Sequence, residues 1–444
     1  MFGSLPRQIL AFACLLLITP QEAPSAAPAR PLMKDFMGLN GHTVQFKPAL
    51  YSAAGRLVRD YHPVAWDLPG DTSALPAWPE ARNRVNWERV YGSWKESGYV
   101  TDVCLMFESV PQVRWKDLAK DSFAYAAAFA REFGPSGKRR LVESVEIGNE
   151  PGLWSDEEYR TVFENMARGL RQGDGGLRIA TCALTAGPSG RYAKSLACLK
   201  GLESLCDVLT MHTYAQLENW PTWRRRFPED PRLKDYLRDV EALCRLRDES
   251  LPGKPVWITE FGYDSTTQPQ SQTGDFKQWV GCTDAHQAQW IVRSYLVFST
   301  LPVDRAYLYF FNDEDEAALH ASSGLTRHFQ PKPSFYAVSH LYRTLGEFRF
   351  ARIVAREPGK ARVQEYAHAS DPKKSVWVLW SPTGEAKTTV YEIKNPPGRM
   401  VSVQTMPLTA GEPPDLAGTV TNQGGALHVP VGESPVYIVW EARR

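Results

Sequence analysis

Short apolar segments alternate with amphipathic helical patterns from about residue 36 to about residue 346. Each short segment is rich in apolar or β-branched residues and is bounded by turn residues, which is typical of strands buried on both faces. Eight segments are predicted as strands: 36–39, 56–60, 100–106, 142–147, 178–183, 208–212, 255–259 and 305–311.

The helices between these strands have recognisable ends. Ser155 and Glu158 form a predicted capping box, and apolar residues then follow at helical spacing. Asn86 is a predicted N-cap of another helix, which Gly98 ends. Eight strands with intervening helices predict an α/β fold: a (β/α)8 TIM barrel over residues 31–346, in preference to an open doubly wound sheet.

Beyond about residue 350 the helical periodicity stops. Apolar runs separated by Pro- and Gly-rich turns occur at 376–380, 388–393, 400–405, 427–431 and 436–440. This pattern predicts a small antiparallel β-sandwich domain over residues 350–444. A chain of 444 residues is long enough for two such domains.

Residues 1–27 have the pattern of a cleavable signal peptide. Arg7 precedes a short apolar run, Ile9 to Ile18, and small residues near Ala27 follow. The apolar run is too short to span a bilayer, so no membrane association is expected after cleavage. The pattern predicts export to a periplasm or to the medium.

Cleavage removes Cys14 and leaves six cysteines, an even number that permits disulfides in an exported protein. Cys104 and Cys182 lie in strand-like runs and are predicted as buried free thiols. The better candidates for bridging, with their pairing left open, are Cys198, Cys206, Cys244 and Cys282.

The charge of the chain gives no electrostatic indication of a charged partner. Its formal net charge is +1, with basic and acidic residues interspersed, which gives no reason to expect nucleic acid. No glycine-rich phosphate loop follows the first strand, and no cysteine spacing matches a zinc site, so no cofactor and no metal are predicted. A carbohydrate substrate fits this balance.

Two glutamates follow predicted strands at the edge where barrel enzymes place their functional groups. Glu150 lies in "VEIGNEP" after the fourth strand, and Glu260 lies in "VWITEFG" at the end of the seventh. Strands four and seven lie across the barrel mouth from each other. Retaining glycoside hydrolysis needs one carboxyl group to protonate the leaving oxygen and a second, about 5 Å away, to attack the anomeric carbon.

These two motifs, in this order, resemble the signatures of clan A glycoside hydrolases, with the nearest likeness to family 39 and to cellulase-like family 5 members. The resemblance implies that Glu150 is the acid/base and Glu260 the nucleophile of a retaining enzyme acting on β-glycosidic bonds. It also implies that Asn149 binds the sugar 2-hydroxyl group, and that His212 and Tyr214, in "MHTYA", match the clan's His-x-Tyr pair, whose tyrosine contacts the nucleophile.

Further candidates follow other strands. Arg59, in "VRDYH", is a permanent cation that would keep Glu260 ionised, although an ion pair with Asp60 or another acid is nearly as good an interpretation. His42 is a predicted subsite residue. Because sugars have apolar faces, aromatic residues near strand ends are candidate platforms, each with ordinary packing as the alternative: Trp66, Trp154, Trp220, Trp223, Tyr263 and Phe311. Phe310 or Phe311 would replace the tryptophan that many clan members carry after strand eight.

Two other functions remain open from the sequence. A transglycosylase would use the same carboxylates and deliver the glycosyl group to a sugar instead of water. A non-catalytic carbohydrate-binding barrel would keep the fold without the chemistry, although the presence of Glu150, Glu260 and Asn149 together argues against it.

Overall fold

Eight parallel strands close into a barrel, which confirms the predicted fold. The computed structural model describes residues 29–357 and 360–442, so the predicted signal peptide and Cys14 lie outside the described residues. The barrel strands are β1 Met37–Gly41, β2 Leu57–Pro63, β3 Val100–Met106, β4 Ser144–Ile147, β5 Arg178–Thr185, β6 Val208–His212, β7 Val256–Phe261 and β8 Arg305–Leu308. Each strand pairs with its neighbours in sequence, and β1 also pairs with β8, so the ring is closed.

Helices pack around this ring. The long ones are α1 Trp87–Glu96, α2 Leu118–Phe133, α3 Asp156–Gly173, α4 Tyr236–Ser250, α5 Asp284–Phe298 and α6 Pro333–Leu345. Asn86 caps α1 by accepting from the Arg89 amide, and Ser155 with Glu158 forms a complete capping box on α3, as predicted. Short helices replace long ones after β1, Pro48–Tyr51, and after β5. No helix in the described ranges is long and apolar enough to cross a membrane.

The barrel interior changes character along its axis. An apolar cluster that includes Leu57, Trp257 and Tyr307 fills one part. Buried charged groups, chiefly Arg59 and Glu146, fill the part nearer the carboxyl ends of the strands. Because a buried ion requires a partner, this layer is a connected network, and it underlies the site described below.

The C-terminal part is a β-domain of two antiparallel sheets. Its strands are β9 Phe348–Ala355, β10 Arg362–His368, β11 Lys374–Trp380, β12 Thr389–Ile393, β13 Arg399–Thr405, β14 Thr421–Gln423, β15 Ala426–Val431 and β16 Val436–Glu441. The sheets have the orders β9-β10-β11-β16-β13 and β12-β15-β14. Three of these strands, β9, β10 and β14, were not predicted from the sequence.

The five-stranded sheet packs between the barrel and the smaller sheet. Residues such as Trp380 and Tyr437 belong to the same apolar cluster as the barrel helices, whereas Trp377 and Trp440 pack toward the three-stranded sheet. Alternate residues of β11 therefore contribute to two different cores, as the two-residue period of a strand requires.

The six cysteines of the described chain are all free. This corrects the expectation that Cys198, Cys206, Cys244 and Cys282 are candidates for bridging. The last three each direct their sulfur toward a different local carbonyl group: those of Glu203, Pro302 and Asp264. Cys104 and Cys182 are buried thiols, as predicted.

A buried ion cluster joins the barrel to the β-domain. Arg293 of α5 is fully buried and donates to Glu229 at 2.5 Å and to the Thr383 carbonyl group at 3.0 Å. Glu229 also accepts from the Trp380 indole at 2.6 Å. Burial raises the pKa of Glu229, but the charge of Arg293 outweighs it and the net pKa is lowered.

We expect Arg293→Met to lower the free energy of unfolding by about 3–5 kcal/mol, because it leaves the Glu229 carboxylate buried without its cation. Urea unfolding at pH 7 measures this change. The matched control is Lys387→Met, which breaks an exposed pair with Glu385 and should cost less than about 1 kcal/mol. Equal effects of the two substitutions would show that the buried pair does not hold the domains together.

Candidate active site

A cleft of about 870 Å³ opens at the carboxyl ends of the barrel strands. Eight of the residues predicted for the site line it: His42, Trp66, Asn149, Glu150, His212, Tyr214, Trp223 and Glu260. Arg59 is fully buried and lies against Glu260. The barrel topology therefore brings together side chains that are far apart in sequence.

Glu260, at the end of β7, is held by hydrogen-bond donors on both carboxylate oxygens. Tyr61 donates to Oε1 at 2.6 Å, and Tyr214 donates to Oε2 at 2.7 Å. The guanidinium Nη1 of Arg59 lies 3.4 Å from Oε1. The carboxylate is therefore fixed in orientation and only 8% of the side chain is exposed.

These contacts keep Glu260 ionised. Burial alone would raise its pKa, but the proximity of His212, the charge of Arg59 and the two tyrosine hydroxyl groups lower the pKa well below its usual range. Burial and the charge of Glu260 raise the pKa of Tyr61 and of Tyr214, so both hydroxyl groups remain donors. An ionised, oriented and partly desolvated carboxylate is what a nucleophile requires.

Glu150 has a different environment. Its side chain is 26% exposed in the cleft, and Oε1 lies 2.8 Å from His212 Nδ1. The same His212 nitrogen lies 3.5 Å from Glu260 Oε2, so the imidazole stands between the two carboxyl groups. Glu150 can therefore exchange a proton with solvent or a leaving group, whereas Glu260 is enclosed.

Arg59 connects the residues around Glu260. It forms a two-bond ion pair with Glu146, at 2.8 and 2.9 Å, and donates at 2.9 Å to the side-chain oxygens of Asn40 and Asn149. Its partner acids are thus Glu146 and Glu260, whereas Asp60 is bound by Thr43 and Tyr91. Because Oδ1 of Asn149 accepts from Arg59, the side-chain orientation is fixed, and the side-chain nitrogen Nδ2 can donate to a ligand in the cleft.

The loop that carries Glu150 is held from behind. Gly148 has φ +86°, and a Cβ there would lie 2.6 Å from the Phe107 ring, so only glycine allows this approach. Glu108 Oε1 accepts from the backbone N–H of Asn149 at 2.7 Å. Burial raises the pKa of the Glu108 carboxyl group to about 7, despite backbone donors and Arg59, which lower it.

Two histidines in the wall of the cleft are neutral at pH 7. Burial lowers the pKa of His42, whose ring centroid lies 4.9 Å from that of Phe310. Burial and the neighbouring charge of Arg225 lower the pKa of His320 to about 4. Each ring therefore has one donor and one acceptor nitrogen, which suits recognition of sugar hydroxyl groups.

Three aromatic residues predicted to contact substrate lie in the core instead. Trp154 packs against Phe107, with ring centroids 5.1 Å apart. Tyr263 turns toward α5 and its hydroxyl group lies 2.9 Å from Ser294 Oγ. Phe311 is fully buried against Phe46 and Tyr51.

Other aromatic residues line the cleft. Phe310 is buried, and the aromatic residue that lines the cleft after β8 is Tyr309. Of the other candidate platforms, Trp66 and Trp223 line the cleft.

Sequence reasoning missed several residues of the site. Tyr61 and Tyr309 each lie two residues after another inward-facing residue, Arg59 and Tyr307, so the strand period indicated them. Asn40 was visible in "LNGH". Arg225 and His320 lie in long loops without a local pattern, and only the fold places them in the cleft.

The same constellation raises the question of a metal. Glu150, His212 and Glu260 offer three ligand atoms within 4.8 Å of one another. Both oxygens of Glu260, however, already accept hydrogen bonds, and the guanidinium of Arg59 would repel a cation there. This donor set fits one ionised carboxylate beside a second, more exposed carboxyl group better than it fits cation binding.

We expect Tyr214→Phe to shift the acidic limb of kcat/KM to higher pH. The lost hydrogen bond stabilises the ionised form of Glu260, and a bond to a charged group is worth about 1.5–3 kcal/mol, or about 1–2 pH units. A pH profile on a chromogenic substrate measures the limb. Tyr192→Phe is the control, because this exposed cleft tyrosine should leave the limb in place. An unmoved limb in Tyr214→Phe would disprove the role of this contact.

Neither a protein-family model nor a curated protein matches this sequence. Among solved structures, the chain is similar to a family 39 glycoside hydrolase from Bacteroides cellulosilyticus WH2, with TM-score 0.67, 18% identity and coverage of 93% of this chain and 81% of that one. It is also similar to a glucosidase from Croceicoccus marinus, with TM-score 0.64, 12% identity and coverage of 94% and 98%.

A third similar structure is the GH51 arabinofuranosidase from Xanthomonas axonopodis pv. citri, with TM-score 0.63, 12% identity and coverage of 93% and 97% of the two chains. At these identities the likeness concerns the fold. It extends over nearly the whole chain in each case. The chain therefore has the fold of these glycoside hydrolases.

Proposed function

We propose that this protein is a retaining glycosidase that cleaves β-glycosidic bonds by double displacement, with Glu260 as nucleophile and Glu150 as acid/base. The observation that carries the proposal is the pair of carboxyl groups, which present oxygens within 4.8 Å of each other. Retaining glycosidases hold their carboxyl groups about 5 Å apart, whereas inverting ones need about 6.5–9.5 Å to admit a water molecule.

In the first step Glu260 forms a bond to the anomeric carbon while the bond to the leaving oxygen breaks. The leaving oxygen takes the proton of Glu150, and the glycosyl group is held as an ester of Glu260. In the second step Glu150 removes a proton from water, the water oxygen bonds to the anomeric carbon, and the ester bond breaks. Both carboxyl groups return to their starting states.

The surrounding residues support these roles. Tyr61, Tyr214 and Arg59 hold Glu260 ionised before attack. His212 lies against Glu150 and offers a polar contact in either protonation state of the carboxyl group, because its ring nitrogen can donate or accept. The free amide nitrogen of Asn149 is placed to donate to the sugar 2-hydroxyl group, as the resemblance to clan A implies.

The substrate class is supported by the named structural neighbours, a glucosidase, an arabinofuranosidase and a family 39 glycoside hydrolase. The β configuration of the bond rests on the resemblance of the two glutamate motifs. We also propose that the protein is exported, because Arg7 and the apolar run from Ile9 to Ile18 form a signal-peptide pattern.

The test is hydrolysis of a panel of aryl glycosides, followed by proton NMR of the first product. A retaining enzyme releases the β-anomer first from a β-glycoside, and the α-anomer grows in only by mutarotation. Release of the α-anomer first would mean inversion and would exclude Glu260 as a covalent nucleophile. Failure to hydrolyse any glycoside or polysaccharide would leave the fold as a carbohydrate-binding barrel.

A further inference from the structure

The two sides of the cleft differ in chemistry. The ring order of the barrel places β3 and β5 beside β4, which leads into the Glu150 loop. Lining residues from that side, including the loop after β2, are Pro63, Trp66, Met106, Tyr192 and Ala193. None of these five side chains is charged, and none carries an amide group. We call it the acid-side wall.

The opposite side of the cleft carries most of the polar groups. The loops after β6 and β8, beside the nucleophile strand β7, contribute Gln216, Asn219, Arg225 and His320 to the lining, together with Trp223, Tyr309 and Leu319. Arg225 is itself fixed by Asp264 at 3.0 Å and by the Gly262 carbonyl group at 2.9 Å. Hydrogen-bonding groups for a sugar ring are therefore concentrated around Glu260 and away from the acid-side wall.

The acid-side wall is held firmly against the Glu150 loop. A Cβ on Gly152 would lie 1.9 Å from the Arg191 carbonyl oxygen, so the backbone next to Tyr192 packs directly on the segment after Glu150. On the other side, Ser109 Oγ accepts from the Ala65 amide at 3.1 Å and ties the Trp66 segment to the loop after Met106. These contacts make the wall a preformed surface.

The position of the acid-side wall determines which part of the substrate it contacts. In a retaining glycosidase the acid protonates the leaving oxygen, so the leaving group lies on the side of the acid. A sugar leaving group has apolar faces that can stack on a ring such as that of Trp66, but it also presents several hydroxyl groups that need partners when they are desolvated. The acid-side wall offers instead a thioether, a proline ring, a methyl group and two aromatic rings, with the phenol of Tyr192 half exposed.

We infer that the acid-side wall binds an apolar aglycone, so that the preferred substrate is an alkyl or aryl glycoside and not an oligosaccharide. This inference rests on the proposed function and names its substrate class. The sugar would be recognised by the polar groups around Glu260, and the aglycone would be held by apolar contact with Trp66 and Met106.

The experiment uses alkyl glycosides of the sugar that the aryl panel identifies, from methyl to hexyl. The ethyl to hexyl alcohols are chemically similar leaving groups, so a change in kcat/KM along them reports binding of the chain. Each buried methylene is worth about 0.8 kcal/mol, so kcat/KM should rise about fourfold per carbon until the wall is covered. A disaccharide with the same sugar at the cleaved end should be a poorer substrate than the hexyl glycoside.

Two variants localise the effect. Met106→Gln should flatten the dependence on chain length, whereas Leu319→Asn, on the polar side of the same cleft, should leave the slope unchanged. The wild-type series remains a test even if a variant does not fold. A flat series with measurable hydrolysis, or a disaccharide that exceeds the hexyl glycoside, overturns the aglycone inference and leaves the glycosidase proposal intact. Absence of hydrolysis of every glycoside refutes the glycosidase proposal itself.

Discussion

Glu260→Ala is expected to lower kcat/KM on an aryl glycoside by a factor on the order of 10⁶, the loss seen when a covalent nucleophile is removed. The reason lies in the structure of the site. Tyr61 and Tyr214 both donate to this one carboxylate, which Arg59 also approaches, and no other carboxyl group in the described chain accepts from both tyrosines. Initial rates with an aryl glycoside of a good leaving group measure the effect.

Rescue by sodium azide would show that the lost activity is due to the missing nucleophile and not to misfolding. The alanine variant leaves space beside the anomeric carbon, and a small anion that enters it attacks from the face that Glu260 uses. We expect azide to restore cleavage and to give a glycosyl azide of inverted configuration. Glu157→Ala, an exposed glutamate in the first turn of α3, is the control and should retain full activity. Activity of Glu260→Ala within tenfold of wild type would exclude the nucleophile assignment.

The barrel could be predicted from the sequence because each strand is a local pattern with local limits. The segments at 100–106 and 208–212 were predicted with their observed bounds, and the other barrel strands differ by a few residues at their ends. Strand ends depend on pairing with neighbours, which a single segment does not encode. Two of the missed strands of the β-domain have little burial of their own: β14 is short and exposed, and β9 is exposed over residues 351–353.

The placement of Glu150 and Glu260 was predicted because each lies next to a strand within a recognisable motif, and a barrel brings the ends of β4 and β7 together. The aromatic residues were harder to place. Trp154, Tyr263 and Phe311 also lie near strand ends, but partners distant in sequence, such as Trp115 for Trp154, draw their rings into the core. Proximity to a strand end indicates a loop, whereas the direction of a large ring depends on the space available.

Arg59 shows why the two interpretations from the sequence were not exclusive. The guanidinium forms a buried ion pair with Glu146 and also approaches Glu260. Its planar set of donors allows both contacts at once, together with Asn40 and Asn149. A lysine at this position has a single charged nitrogen and would not join all four residues.

Glu150→Ala is expected to give an effect that depends on the leaving group. An alkyl or sugar leaving oxygen needs a proton, so kcat/KM on such substrates should fall by about 10²–10⁴-fold. A dinitrophenyl leaving group departs without protonation, so formation of the glycosyl ester of Glu260 should remain fast. Water attack on the ester then lacks its base, and the ester should accumulate after a burst of dinitrophenolate. Stopped-flow absorbance measures the burst, and mass spectrometry of the quenched protein detects the added glycosyl mass.

Azide again provides the decisive control, because the two variants should give opposite products. In Glu150→Ala the anion enters on the face vacated by the acid, attacks the ester of Glu260 and gives a glycosyl azide of retained configuration. In Glu260→Ala it gives the inverted product. Opposite configurations from the two variants can arise only if the two glutamates act on opposite faces of one sugar ring. The same configuration from both, or an equal loss on dinitrophenyl and alkyl substrates in Glu150→Ala, would contradict the assignment of Glu150 as the acid/base.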